Sequence, residues 1–308
     1  MQQHFETFIA EDNIKQIASW GFDHVRIPVD GWLFLDKEKK ILREKPLEYL
    51  DRCIGWCADY GLHAVIDLHN IEGHVYGQME IPTPLMTDEA LRDDFCLFWA
   101  RMAEHFKGYK GTLLLFELFN EIADSTGYMW NRLYKRTINS VGYLDRLDLV
   151  EDPYVFYNFH YYEPNAFTHQ KAHFSEEFCA YRHTLTYPGD MTDYIAFLKA
   201  NDKFRKEHPL MSEETNCNDK SLMLSLLSYA KDFMQYSGCG LYCGEFGVID
   251  SAPATEAVKW IRDFITICDG LKIGHAMWNY KCLDFELVDI NNQIVRPEIL
   301  DLLKELNQ

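Results

Sequence analysis

Apolar residues fall in two spacings along this chain, helical runs and short continuous runs, and the two take turns. From Glu11 to Trp20, Ile14, Ile17, Ala18 and Trp20 recur at helical spacing until Gly21 closes the run. Phe22–Pro28 then reads as a strand that ends at a proline. Leu47–Tyr60 predicts a second amphipathic helix, with Leu50, Cys53, Ile54 and Cys57 on one face and Gly61 as its stop. The next strand is Leu62–Leu68, which hands over to His69 and Asn70. A loop holding Gly73, Gly77, Pro82 and Pro84 precedes a helix over Leu91–Phe106. Leu113–Glu121, L-L-L-F-E-L-F-N-E, predicts a strand buried on both faces, as in parallel sheets, ending in Asn120 and Glu121.

Past Glu121 the rhythm breaks. Trp130, Leu133, Tyr134, Thr137 and Ile138 make one helix face, and Val141, Leu144 and Leu147 make another, with no strand between them. Tyr154–His160 restores the strand pattern and runs into Tyr161, Tyr162, Glu163 and Pro164. Residues 165–220 are polar and rich in His and aromatics, too long for an ordinary connection, and predict an inserted subdomain over the site. A helix over Leu222–Tyr236, a strand over Leu241–Glu245 and a helix over Val258–Cys268 ending at Gly270 follow. A strand over Ile273–Tyr280 and a helix over Pro297–Leu306 close the chain. Strand and helix alternate as in a parallel α/β fold, and 308 residues accommodate one barrel domain of roughly 250 residues with an insertion.

Charge narrows the partners. Forty-eight acidic against 30 basic side chains give a formal charge of −18, which argues against nucleic acid and anionic membrane and suits a neutral or cationic substrate. No stretch approaches the roughly 20 apolar residues of a membrane span. Met1 leads into Gln2, Gln3 and His4 rather than a signal peptide, so a cytoplasmic protein is expected, with secretion left open if further residues precede Met1. Nine scattered cysteines fit reduced core thiols. Cys53 and Cys57 stand one turn apart with no second Cys or His pair nearby, so they are read as core residues rather than metal ligands.

Two glutamates carry the candidate chemistry. Glu121 follows one apolar strand; Glu245 ends another and stands between glycines in L-Y-C-G-E-F-G. Two carboxylates at the ends of parallel strands are the layout of a retaining glycosidase, in which one protonates the leaving oxygen and the other, about 5 Å away, attacks the anomeric carbon. Other strand ends supply Arg26, His69, His160 and Tyr162, able to hold a nucleophile ionised and to bond sugar hydroxyls. Trp278 is either a platform for a pyranose ring or a packing residue. A metal-dependent hydrolase using His69, His160 and the acids would be expected to show an H-x-H or H-E-x-x-H spacing, and the sequence has neither.

The stretches H-V-R-I-P, D-L-H-N, L-F-N-E, F-H-Y-Y-E-P-N-A-F-T-H-Q-K-A-H, L-Y-C-G-E-F-G-V-I and M-W-N-Y-K together resemble glycoside hydrolase family 5, the cellulase family, across residues 4–300. That resemblance implies a (β/α)8 barrel that needs no metal or cofactor and acts on a β-1,4-linked or mixed-linkage glucan, with mannan the second substrate. It implies that Glu121 is the general acid/base, that Glu245 is the nucleophile and that Asn120 bonds the sugar 2-hydroxyl. By the same resemblance Arg26 and Tyr162 sit by the nucleophile, His69 and His160 line the cleaved-bond subsite, and Trp278 stacks. Phe167, His169, His173 and Tyr181 of the insertion would shape the cleft. Against the family pattern two strands are missing: the first, expected before His4, and the fifth, expected between Ile138 and Asn139. A six-stranded barrel should be underfilled, with unpaired edges open to self-association. A remnant that binds carbohydrate without cleaving it is the alternative, because a loosened site loses catalysis first.

Overall fold

Parallel strands alternate with helices whose apolar stripes have a sheet face to cover, and this repetition sets the architecture. The computed structural model describes residues 2–76, 83–121, 144, 149–150, 152, 154–207 and 216–307. The helix faces expected over 130–147, and the place of the fifth strand between Ile138 and Asn139, lie outside them apart from Leu144, which is buried. The chain divides into two compact units, one of Met1–Asn139, Arg146–Asp152 and Asn307–Gln308, the other of Ser140–Asp145 and Pro153–Leu306.

In the first unit three parallel strands, β1 (His24–Asp30), β2 (His63–Asn70) and β3 (Leu114–Glu117), pair in that order. Helix α1 (Glu11–Ser19) precedes β1, α2 (Glu44–Asp59) joins β1 to β2, and α3 (Glu89–Phe106) joins β2 to β3. Ile14 and Ile17 of α1, Leu50, Ile54 and Cys57 of α2, and Phe95, Phe98 and Met102 of α3 are buried with Ala64, Ile66 and Leu68 of β2. Asp88 starts α3 by accepting the Ala90 N–H at 2.8 Å. Cys57 is wholly buried, in line with its reading as core, while Cys179 is exposed.

The second unit holds β4 (Phe156–Tyr161), β5 (Gly240–Phe246) and β6 (Gly274–Met277), again parallel and in chain order. Helix α4 (Lys220–Ser237) leads into β5, α5 (Ala254–Leu271) joins β5 to β6, and α6 (Pro297–Leu306) follows. Tyr161 of β4 lies over Phe264 of α5, with ring centroids 5.1 Å apart and 18° between planes, and Trp260 stacks on the same pair. Between β4 and α4 the 165–220 segment forms short helices, Asn165–Thr168, Glu176–Ala180, Thr192–Ala200 and Asp202–Glu207, and an antiparallel pair of Gly189–Asp190 with Cys217–Asn218.

Among the described residues, consecutive parallel strands in two runs of three, with helices between them, follow the strand order of a (β/α)8 barrel. The described residues thus show the six strands expected from the sequence. Two local readings change. Leu113–Glu121 is not a strand buried on both faces: only Leu114–Glu117 is extended, paired among the described residues with β2, and Leu113 (56%) and Phe116 (37%) are exposed. Helix α5 does not end at Gly270. It runs to Leu271 and turns at Lys272 with φ +60°, where the N–H of the buried Ile273 reaches back to Cys268 O at 2.9 Å. Among the described residues no helix is long and apolar enough to cross a membrane.

Candidate active site

In the first unit the chemistry sits on the strands themselves. The register sets Asp67 of β2 directly beside Glu117 of β3, two carboxylates abreast in a buried sheet. Like charges so placed repel, and a cation must lie between them. Arg26 of β1 supplies it: Nε and Nη2 donate to Glu117 at 2.6 and 2.9 Å, and Nη2 lies 3.0 Å from Asp67 Oδ2. The same Nη2 donates to Asn120 Oδ1 at 2.9 Å, so the guanidinium that neutralises the strands also orients the asparagine next to Glu121. His69 Nδ1 donates to Asp67 Oδ2 at 2.8 Å. Arg26, His69 and Asn120, picked out from the sequence, therefore form one network. Glu121 follows it with φ +35°, in the left-handed region that side chains rarely adopt.

In the second unit the strand carrying Glu245 is irregular by one residue. Cys243 is level with Phe159 and Glu245 with His160 on β4, while Cys243 is level with His275 and Phe246 with Met277 on β6. Gly244 is the residue left over against β4, and against β6 Gly244 and Glu245 together stand opposite Ala276, a bulge. Its effect shows in what its neighbours touch. Phe246 packs on Phe264 of α5 at 4.5 Å. The Cys243 thiol, raised by burial and then by the Cys268 thiol, belongs to the same helix-facing side. Residues three apart would point to opposite faces of a regular strand, so the bulge is what lets both face α5 and turns Glu245 the other way.

Two glycines flank this acid for separate reasons. A Cβ on Gly244 would meet the Asn158 amide at 2.6 Å, and one on Gly247 would meet Trp278 O at 2.5 Å. Glu245 is 6% exposed. Tyr162 donates its hydroxyl to Glu245 Oε2 at 3.0 Å, and His160 Nδ1 lies 3.7 Å from the same oxygen. Tyr162 is held in turn by His169 edge-on at 4.8 Å and by Phe285 at 5.9 Å. Trp278 is half-buried just past β6, its N–H donating to Phe246 O at 2.8 Å. Of the insertion residues expected to shape a cleft, His169 touches Tyr162 and His173 is exposed. Phe167 and Tyr181 are buried inside this unit and pack instead.

Residues 1–145 match the cellulase family, glycosyl hydrolase family 5. Endoglucanase C of Acetivibrio thermocellus is 34% identical over 324 aligned positions, covering 98% of this chain and 92% of that protein. The chain belongs to glycoside hydrolase family 5. It is a glycoside hydrolase of the endoglucanase type. The alignment is longer than the 308 residues of the chain, so the relative carries residues with no counterpart here. Cellodextrinase A of Ruminococcus flavefaciens is 28% identical over 85% of this chain and 75% of its own length. Thermotoga maritima Cel5A, in a structure with cellobiose, shares the fold: TM-score 0.73 at 20% identity, over 96% of this chain and 90% of that one.

Reasoning from sequence missed Asp67, Glu117 and Asn158. The first two had a signal, an acid inside an otherwise apolar run, A-V-I-D-L and L-L-F-E-L, which a buried strand tolerates only with a paired cation. Asn158 had none, because its partner is the backbone N–H of Gly244, far along the chain.

Proposed function

We propose that this family 5 hydrolase is a retaining endo-β-1,4-glucanase or mixed-linkage glucanase working by double displacement. Glu245 attacks the anomeric carbon while Glu121 gives its proton to the departing glycosidic oxygen, which leaves as an alcohol. In the second half Glu121 takes a proton from water, the water oxygen attacks the same carbon, and the bond to Glu245 breaks. Asn120, fixed by Arg26, bonds the 2-hydroxyl, and Trp278 stacks on a sugar ring. His69 and His160 line the subsite of the cleaved bond.

The observation that carries this reading is the environment of Glu245. A carboxylate this deeply buried on a bulged strand, accepting from Tyr162, is positioned rather than solvated. Folding alone gives no reason to bury it. The test is reducing-sugar release from mixed-linkage β-glucan by the parent, Glu121→Gln and Glu245→Gln, with β-mannan as a second substrate. Release by the parent, lost in both variants, is the expected result. No release by a parent that still unfolds cooperatively would leave a carbohydrate-binding remnant; release from mannan alone would move the substrate.

A further inference from the structure

The segment that delivers Glu121 is pinned through its backbone at three successive points. Trp99 Nε1 donates to Leu118 O at 2.9 Å, the Asn120 N–H donates to Leu68 O at 3.0 Å, and His74 Nε2 lies 3.2 Å from Glu121 O. A carbonyl can only accept, so His74 Nε2 carries the proton. We propose that His74 is a positioning residue for Glu121, holding by that bond the left-handed backbone turn that aims its carboxyl group; this rests on the reading of Glu121 as acid/base.

The ring is built for one polar contact. His74 is 2% exposed and lies against Phe119 with centroids 4.5 Å apart. Its Nδ1 is buried with no hydrogen-bond partner among the described residues, so Nε2 to Glu121 O is the ring's polar bond. Burial holds its pKa down to about 4, and the imidazole is neutral where a cellulase works. The backbone of His74 is equally fixed. Its N–H and carbonyl pair with Ile71 at 2.9 and 3.1 Å, and Gly73 before it takes φ +86°, where a Cβ would come within 2.9 Å of Leu85 N. A non-glycine residue stays at φ +35° only where its surroundings hold it there. His74 makes the bond that does so at the carbonyl of Glu121.

A packing role is separable from a positioning role. His74→Phe keeps the contact with Phe119 and loses the donor; His74→Gln places an amide N–H near the position of Nε2. Should His74→Phe fail to fold, His74→Met loses the donor in a more adaptable side chain. The readout is kcat/KM on β-glucan against 2,4-dinitrophenyl β-cellobioside, whose leaving group departs without protonation. We expect His74→Phe to lose about tenfold on β-glucan and less than about twofold on the activated glycoside, with His74→Gln recovering most of the loss. Equal loss on both substrates, or none on either, would overturn the proposal. Glu121→Gln run in parallel separates the two readings. If it too loses both substrates equally, the assignment of Glu121 is at fault, whatever His74 does.

Discussion

Asn158 Oδ1 accepts the N–H of Gly244 at 2.7 Å, so a side chain on β4 takes the place of the ladder bond that the bulge on β5 gives up. The amide sits where a Cβ on residue 244 would be, which makes the glycine before Glu245 a requirement of packing. Gly244→Ala is therefore expected to cost about 2–3 kcal/mol of stability, the usual scale of overpacking, and to lower activity because Glu245 moves with the bulge. Urea unfolding beside an activity assay checks it. A stable and fully active Gly244→Ala would mean that the bulge is dispensable.

Arg26 lies between two buried acids, and its removal strands both. Arg26→Met should destabilise the protein by about 3–5 kcal/mol, since Asp67 and Glu117 would remain side by side without a cation. Arg26→Lys keeps the charge but not the fork that reaches Glu117 twice and Asn120 besides, and should fall between. Equilibrium denaturation of the three proteins gives the order.

Tyr162→Phe removes one oxygen and leaves the ring between His169 and Phe285. Without that donor the charge on Glu245 is less well oriented, and kcat/KM on β-glucan should drop about 10- to 100-fold with little change in Tm. A fall in Tm with activity per folded molecule unchanged would make Tyr162 structural.

The buried His74 also makes stability depend on pH in a defined window. Its pKa is about 4 when folded and near 6.5 when exposed, so the unfolded chain binds the extra proton between those values. Stability from the neutral ring is complete above pH 6.5 and is lost as pH falls toward 4, by about 3 kcal/mol in all. His74→Phe lacks this contribution. The difference in unfolding free energy between parent and His74→Phe should therefore shift in favour of the variant on going from pH 7.5 to 4.5, and a constant difference would contradict it.

Much of this was open to reading in the sequence, for reasons that differ by residue. Parallel strands buried beneath helices leave continuous apolar runs, so the six strands and helices α1 to α6 stood out. The two acids were visible because each ends such a run. What stayed hidden depends on contacts distant in sequence. Nothing in Asn158 announces a bond to Gly244, and the pairing of Arg26 with Glu117 follows only once β1, β2 and β3 are set in register. The end of α5 was misread because Gly270 looked like a stop, whereas the buried Ile273 decides where the helix turns.

The central claim is that Glu245 attacks the sugar, and trapping tests it most directly. Incubation with 2,4-dinitrophenyl 2-deoxy-2-fluoro-β-cellobioside should add one glycosyl mass to the intact protein. Digestion should place the label on Glu245 in L-Y-C-G-E-F-G, and Glu245→Gln should take up none. A label on another carboxylate, or products formed with inverted anomeric configuration, would contradict the account.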